Sequence, residues 1–205
     1  MYVPEPYRET REDVLVGTIE EASFGTLITT GPAGIATSHV PFAVASRAPL
    51  RLVTHLARPN PQARMEPGEA VAAFVLDSAY VHPGWYPSKA EGGRVVPTWN
   101  YVAVEARGPA RLVEDQGQLH AILEAVTRRH EAGRAEPWSI TDAPEDYVTK
   151  LSRGIVGVEI DVTALTGAWK LGQTKDDADH AGTVRGLTEA GAGRIAALME
   201  AARRR

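Results

Sequence analysis

Four short stretches of this 205-residue chain concentrate the side chains that hold ligands. The first is Thr54-His55-Leu56-Ala57-Arg58-Pro59-Asn60-Pro61-Gln62, where a β-prone run hands over to a possible helix start. A helix N-terminus offers free N–H groups to phosphate, and Arg58 or Arg64 adds charge-assisted hydrogen bonds. A solvated strand-to-helix turn is the plainer alternative. The second, Tyr80 to Lys89, packs three aromatics, His82, Ser88 and Lys89 into ten residues. Large aromatics in a loop must rest on the core, a partner subunit or a planar ligand, and Lys89 can serve an anion as a point charge. The third, Val95 to Tyr101, puts Thr98 and Asn100 on one face of a strand and Trp99 on the other. An amide such as Asn100 donates and accepts, which suits the edge of a heterocycle, unless the stretch is simply a strand entering a sheet beside a packed Trp. The fourth is Trp169-Lys170-Leu171-Gly172-Gln173, with Lys170 and Gln173 near a bend.

Scarcity sharpens these positions. Of 22 basic residues only four are Lys (89, 150, 170 and 175), and Asn occurs only at 60 and 100. Other chemistries find less support. Cysteine is absent, which removes disulfides and thiolate sites. The six histidines show no helical metal spacing, although His120 and Glu124 share a helix face, and no metal site is expected. No Gly-x-Ser-x-Gly elbow, Walker loop or Gly-x-Gly-x-x-Gly turn is present. No general acid or base can be named, so catalytic residues stay unassigned.

Composition bounds the class. With 43% hydrophobic and 23% charged residues, the chain is expected to fold as an ordinary globular domain. No apolar run approaches the roughly 20 residues of a membrane span, and Met1–Arg11 lacks the core of a signal peptide. A cytoplasmic location without membrane association is the expectation. The net charge is −4, and the only basic run is Arg203-Arg204-Arg205, so direct DNA binding is not expected.

Thr10 and Asp13 suit the start of a helix carrying Val14, Leu15 and Ile19. Strands are expected at Phe24–Thr30, Ile35–Ala45 and Leu50–Leu56, the first two joined by a Gly31-Pro32-Ala33-Gly34 turn. Further strands are expected at Ala70–Val81, across Val95–Val113, and at Ile155–Val162. Gln118–Ala132 has the apolar spacing of a helix, and Asp142 is placed to cap a second, short one. Lys175–His180 reads as charged and mobile, and Thr188–Arg205 as a last Ala-rich helix. Strands cluster rather than alternate with helices, so the fold class is mainly β, antiparallel, with flanking helices.

Taken in order, several motifs resemble one family. They are Tyr2-Val3-Pro4, Ser38-His39-Val40-Pro41-Phe42, His55-Leu56-Ala57-Arg58-Pro59-Asn60, Trp85-Tyr86-Pro87-Ser88-Lys89, Val96-Pro97-Thr98-Trp99-Asn100-Tyr101, the run Asp142–Tyr147, and Lys170-Leu171-Gly172-Gln173. The chain resembles the PaiB family of FMN-binding proteins, described as negative transcriptional regulators, from Met1 to about Leu187. The resemblance implies a six-stranded antiparallel FMN-binding split β-barrel, homodimeric, with FMN in the groove between subunits. It implies a flavin-binding domain over 1–187 with a helical insertion at 115–153, then a C-terminal helix over 188–205. It implies cofactor contacts from His55, Ala57, Arg58, Asn60, Ser88, Lys89, Thr98, Trp99, Asn100, Lys170 and Gln173. The phosphate or ribityl chain falls to Arg58, Asn60, Ser88 and Lys89, the ring to Thr98, Trp99 and Asn100. Lys170 and Gln173 close the site. A flavin-dependent redox or indirectly transcription-repressing role follows. The alternatives are a deazaflavin-binding barrel or a haem-binding one, with His39, His55 or His82 as axial ligand.

Two departures from the family pattern stand out. His82-Pro83-Gly84 replaces Ser-Pro-Ser, and Gly172 with Thr174 replaces a Ser and an Asn in the last motif. Each hydrogen bond lost to a cofactor costs about 0.5–1.5 kcal/mol, which weakens binding without abolishing it.

Overall fold

The computed structural model describes residues 1–31, 34–66 and 68–203. The expected turn at Gly31–Gly34 and the terminal arginine run therefore lie partly outside the described residues. The elements follow the chain as β1 (Arg8–Glu9), α1 (Glu12–Ala22), β2 (Phe24–Gly31), β3 (Gly34–Pro41), β4 (Ala43–Arg47) and β5 (Leu50–Ala57). Then come β6 (Gly68–Val81), α2 (Lys89–Gly92), β7 (Thr98–Val113), α3 (Gln116–Glu131) and α4 (Glu145–Ser152). The chain continues through β8 (Ile155–Asp161), β9 (Ala164–Lys170), α5 (Asp177–Glu189) and α6 (Gly193–Arg203).

The strands form one sheet in the order β3-β2-β6-β7-β8-β5-β4, with β9 pairing β7 and β1. The β1–β9, β2–β3, β2–β6, β4–β5, β5–β8 and β7–β8 pairs run antiparallel. The sheet thus has nine strands rather than six, and among the described residues its path does not close. The extra strands arise from partners distant in the chain. Phe42 is buried, and its N–H donates to Ser23 O at 2.7 Å, so the expected strand Ile35–Ala45 breaks there into β3 and β4. Arg8 and Glu9 pair with Ala168 and Gly167, which creates β1 and draws β9 back to Ala164.

Two compact units divide the chain. The first comprises Met1–Leu15, Val75–Val104 and Thr166–Arg205, the second Val16–Phe74 and Glu105–Leu165, so β6 and β7 each contribute to both. In the second unit α3 lays Ile122 and Val126 on Ala43, Val53 and Val113, and Phe42 meets Phe74 edge-on at 5.1 Å. In the first unit Ala79 and Val102 pack with Leu171, Leu187, Ile195, Ala196 and Met199. Burying a side chain such as Ile195 or Met199 stabilises by about 1.5–3 kcal/mol, so α5 and α6 are integral to this unit's core.

Three local expectations change. Lys175–His180 is not a mobile stretch: Asp176 caps α5, accepting from Asp179 N at 2.8 Å. The last helix starts at Gly193 rather than Thr188, because α5 runs to Glu189 first. Asp142 does not cap α4. Its carboxylate instead accepts from Ser139 N at 2.8 Å and closes a short 3-10 turn.

Candidate functional site

In the first unit, the start of β7 meets the end of β9. Strand alternation turns Trp99 outward, where it is 55% exposed and meets Tyr80 edge-on at 6.1 Å. Asn100, its neighbour on the opposite face, is only 3% exposed. Its amide nitrogen donates weakly to Met199 Sδ at 3.2 Å, and its amide oxygen accepts nothing among the described residues. Lys170 ends β9 and donates to Thr98 Oγ1 and to the Trp99 carbonyl. Beyond it the chain turns at Gly172, whose φ of +76° favours glycine. Gln173 braces the turn with both ends of its amide, accepting from Leu171 N at 2.8 Å and donating to Trp169 O.

The 82–89 segment is held from below by α5. His82 Nδ1 accepts from Gly84 N at 2.8 Å and starts a 3-10 turn. Ser88 donates twice to Asp179, through its N–H at 3.1 Å and its hydroxyl at 2.7 Å. A Cβ on Gly182 would lie 2.1 Å from the Trp85 carbonyl oxygen, so only glycine lets α5 lie this close. Tyr86 is buried as a result, with Lys175 Nζ 4.2 Å from its ring centroid. Lys89 opens α2.

These elements enclose a pocket of about 180 Å³, lined by Tyr7, Tyr86, Thr98, Asn100, Lys170 and Lys175 together with Val96, Gly172, Thr174, Thr183 and Met199. Two ammonium groups line it, and neither forms an ion pair with a carboxylate among the described residues. Burial pushes the Lys170 ammonium below the usual lysine range. Burial pushes the Tyr86 phenol up, helped by the charges of Asp179 and Tyr7, so it stays a donor at neutral pH. Of the expected site residues the pocket gathers Thr98, Asn100 and Lys170. Trp99 contributes its carbonyl to Lys170 while its ring points to the opposite strand face, Gln173 and Ser88 are committed to bracing the chain, and Lys89 is not part of the lining. Lys175, one of the four lysines and the end of the last family motif, joins the lining. Tyr7, Thr183 and Met199 fall outside the site residues expected from the sequence.

The remaining expected residues lie in the second unit. His55 on β5 has a buried Nδ1 with no hydrogen-bond partner among the described residues, and burial lowers its basicity. Ala57 ends the strand. Arg58 donates to Arg153 O at 2.9 Å and pairs with Glu114 at 3.1 Å. Asn60 caps a 3-10 turn over Pro61–Arg64, accepting from Gln62 N at 2.9 Å and donating to Ser38 Oγ at 2.8 Å. Gln62, 2% exposed, completes the network through Thr29 Oγ1, Ala36 O and the Ser38 hydroxyl. Among the described residues no helix is long and apolar enough to cross a membrane, and no cluster of three or more His, Cys, Asp or Glu is arranged to hold a metal.

Comparison with known proteins meets this geometry. The protein is 28% identical over 206 residues to protease synthase and sporulation protein PAI 2 of Bacillus subtilis, spanning 98% of this chain and 97% of that one. An uncharacterised protein of Emericella nidulans is 29% identical over 93% of this chain and 92% of its own. The FAD and heme binding protein of Mycobacterium smegmatis superposes with a TM-score of 0.61 at 16% identity, over 85% of this chain and 79% of that one. The conserved hypothetical protein Rv2991 of Mycobacterium tuberculosis gives 0.58 at 16% identity, over 83% and 91%. These two structures show a shared fold. The family model described as "Putative FMN-binding domain" matches residues 1–164. The chain therefore belongs to this FMN-binding-domain family of PaiB type.

Proposed function

We propose that the protein binds FMN at the Lys170 pocket, as a homodimer, and serves a redox or indirectly regulatory role. One observation carries the reading: a half-buried ammonium that among the described residues has no carboxylate partner, held by Thr98 and the Trp99 carbonyl beside an Asn100 oxygen that accepts nothing from those residues. A buried charge persists where a partner compensates its desolvation, and the carbonyl-rich edge of an isoalloxazine supplies one. Asn100 offers the matching acceptor for a ring N–H.

The residues fit a flavin edge, and the size of the pocket says how much of it. At about 180 Å³ the pocket is smaller than the roughly 300–1,000 Å³ of a complete small-molecule site, so it encloses one end of the cofactor. A second copy of the chain would cover the rest. Exposed apolar residues of the same unit support that reading: Tyr2, Val75, Tyr80, Val96 and Trp99. Lys89, an exposed cation at the start of α2, is available to the phosphate. The ammonium of Lys170 orients the ring edge and attracts negative charge there. The flavin, when bound, supplies electron or hydride transfer. Any effect on transcription would be indirect, given the net charge of −4.

The absorption spectrum of the purified protein, before and after excess FMN and desalting, tests the proposal. A retained flavin band is expected, with Lys170→Met weakening FMN by about tenfold or more. A protein that retains no flavin would overturn it. A Soret band after haem addition, or a retained deazaflavin, would support the corresponding alternative instead.

A further inference from the structure

The Lys170 pocket also gathers the groups of an oxyanion site. Lys175 Nζ lies over the Tyr86 ring, 4.2 Å from its centroid, and among the described residues it forms no ion pair with a carboxylate. The Tyr86 hydroxyl makes no hydrogen bond to the described residues, and burial keeps it protonated. Tyr7 and Thr174 bring two more hydroxyls, 3.4 Å apart. Two carboxylates of the neighbouring helix have partners of their own, although the charge of Asp179 still reaches Tyr86. Asp179 accepts both bonds from Ser88, and Asp177 is held by Arg203. The scaffold is preorganised: Arg203 donates to the Lys175 carbonyl at 2.8 Å, and Lys175 N donates to Gly172 O at 3.0 Å. Six of the eleven lining residues, Lys170, Gly172, Thr174, Lys175, Thr183 and Met199, fall outside the residues 1–164 that the family model matches.

We infer that Lys175, Tyr86 and Tyr7 bind the carboxylate or phosphate of a second molecule, the redox partner of the flavin, so that this protein's substrate is a small oxyanion-bearing compound. The inference rests on the flavin reading for the identity of the neighbouring ligand. The FMN phosphate itself is the other source of the same chemistry. The five-carbon ribityl chain separates that phosphate from the ring, which disfavours placing both ends of one FMN in about 180 Å³.

Titration calorimetry of the full chain tests this, with inorganic phosphate and with acetate as separate probes. Ionic strength is held constant with sodium chloride, and FMN uptake is read separately by absorbance. Saturable binding of one anion is expected, weakened about tenfold or more in Lys175→Gln and restored in Lys175→Arg. The FMN-loaded protein should bind the anion at least as well as the free one. No saturable binding of either anion, or equal binding by Lys175→Gln, would overturn the inference. So would exclusion of the anion by FMN, because the pocket would then hold the cofactor's own phosphate. Anion binding without FMN uptake would support the oxyanion site and sink the flavin proposal instead.

Discussion

The Asn60–Gln62 turn and the Lys170 pocket are both rich in polar side chains, yet they use them in opposite ways. In the turn, Asn60 spends its amide on Ser38 and Gln62, and Gln62 spends its own on Thr29, Ala36 and Ser38. In the pocket, Lys170 and Lys175 lack carboxylate partners, and the Asn100 oxygen and the Tyr86 hydroxyl make no hydrogen bond to the described residues. Both arrangements follow one rule: a buried polar group must be paired. A network that closes on itself answers the rule with structure. One that stays open is, on our proposal, completed by a ligand. The comparison teaches that the residue types in a motif do not reveal which answer was taken.

The largest expected effect comes from opening the closed network. Gln62→Ala leaves several buried groups unpaired and should cost about 2–4 kcal/mol of stability, while FMN affinity stays within a few-fold. Urea denaturation measures this, and an unchanged midpoint would erase the contrast between the two regions. Next comes the support beneath the pocket. Gly182→Ala forces α5 away from the Trp85 carbonyl and should cost about 1–3 kcal/mol. Because it also displaces Tyr86, ligand affinity should fall with it, and a variant that loses stability alone would confine α5 to a packing role.

The smallest effect is a pH dependence. Lys170 has its basicity lowered by burial from the ordinary 10.5. Between the lowered folded value and 10.5, the unfolded chain binds more protons than the folded one, so stability should rise with pH in that window. Lys170→Met should flatten this alkaline rise. An identical pH profile in the two proteins would mean that the ammonium is well solvated and the pocket less open in its hydrogen bonding than the geometry indicates.

The sequence was most informative where hydrophobic pattern carries structure. Ala70–Val81 and the alternation after Thr98 read as strands, and α3 reads from its apolar spacing. It was least informative at α5, whose buried face consists of Asp179, His180, Gly182, Thr183, Gly186 and Leu187. Such a face has almost no apolar periodicity, because it is shaped to fit Trp85 rather than to exclude water. The break at Phe42 and the short β1 were equally hidden, since both depend on partners far along the chain.

By itself, then, the sequence determined a strand-rich, antiparallel class, and it placed Thr98, Asn100 and Lys170 among the residues equipped to hold a ligand. Tertiary structure alone decided which polar side chains remain free to do so. Gln62 finds Thr29 at a separation of 33 residues, Lys170 finds Thr98 at 72 and Ser88 finds Asp179 at 91. Hydrogen-bond satisfaction is settled by such distant partners, and local residue pattern carries no record of them.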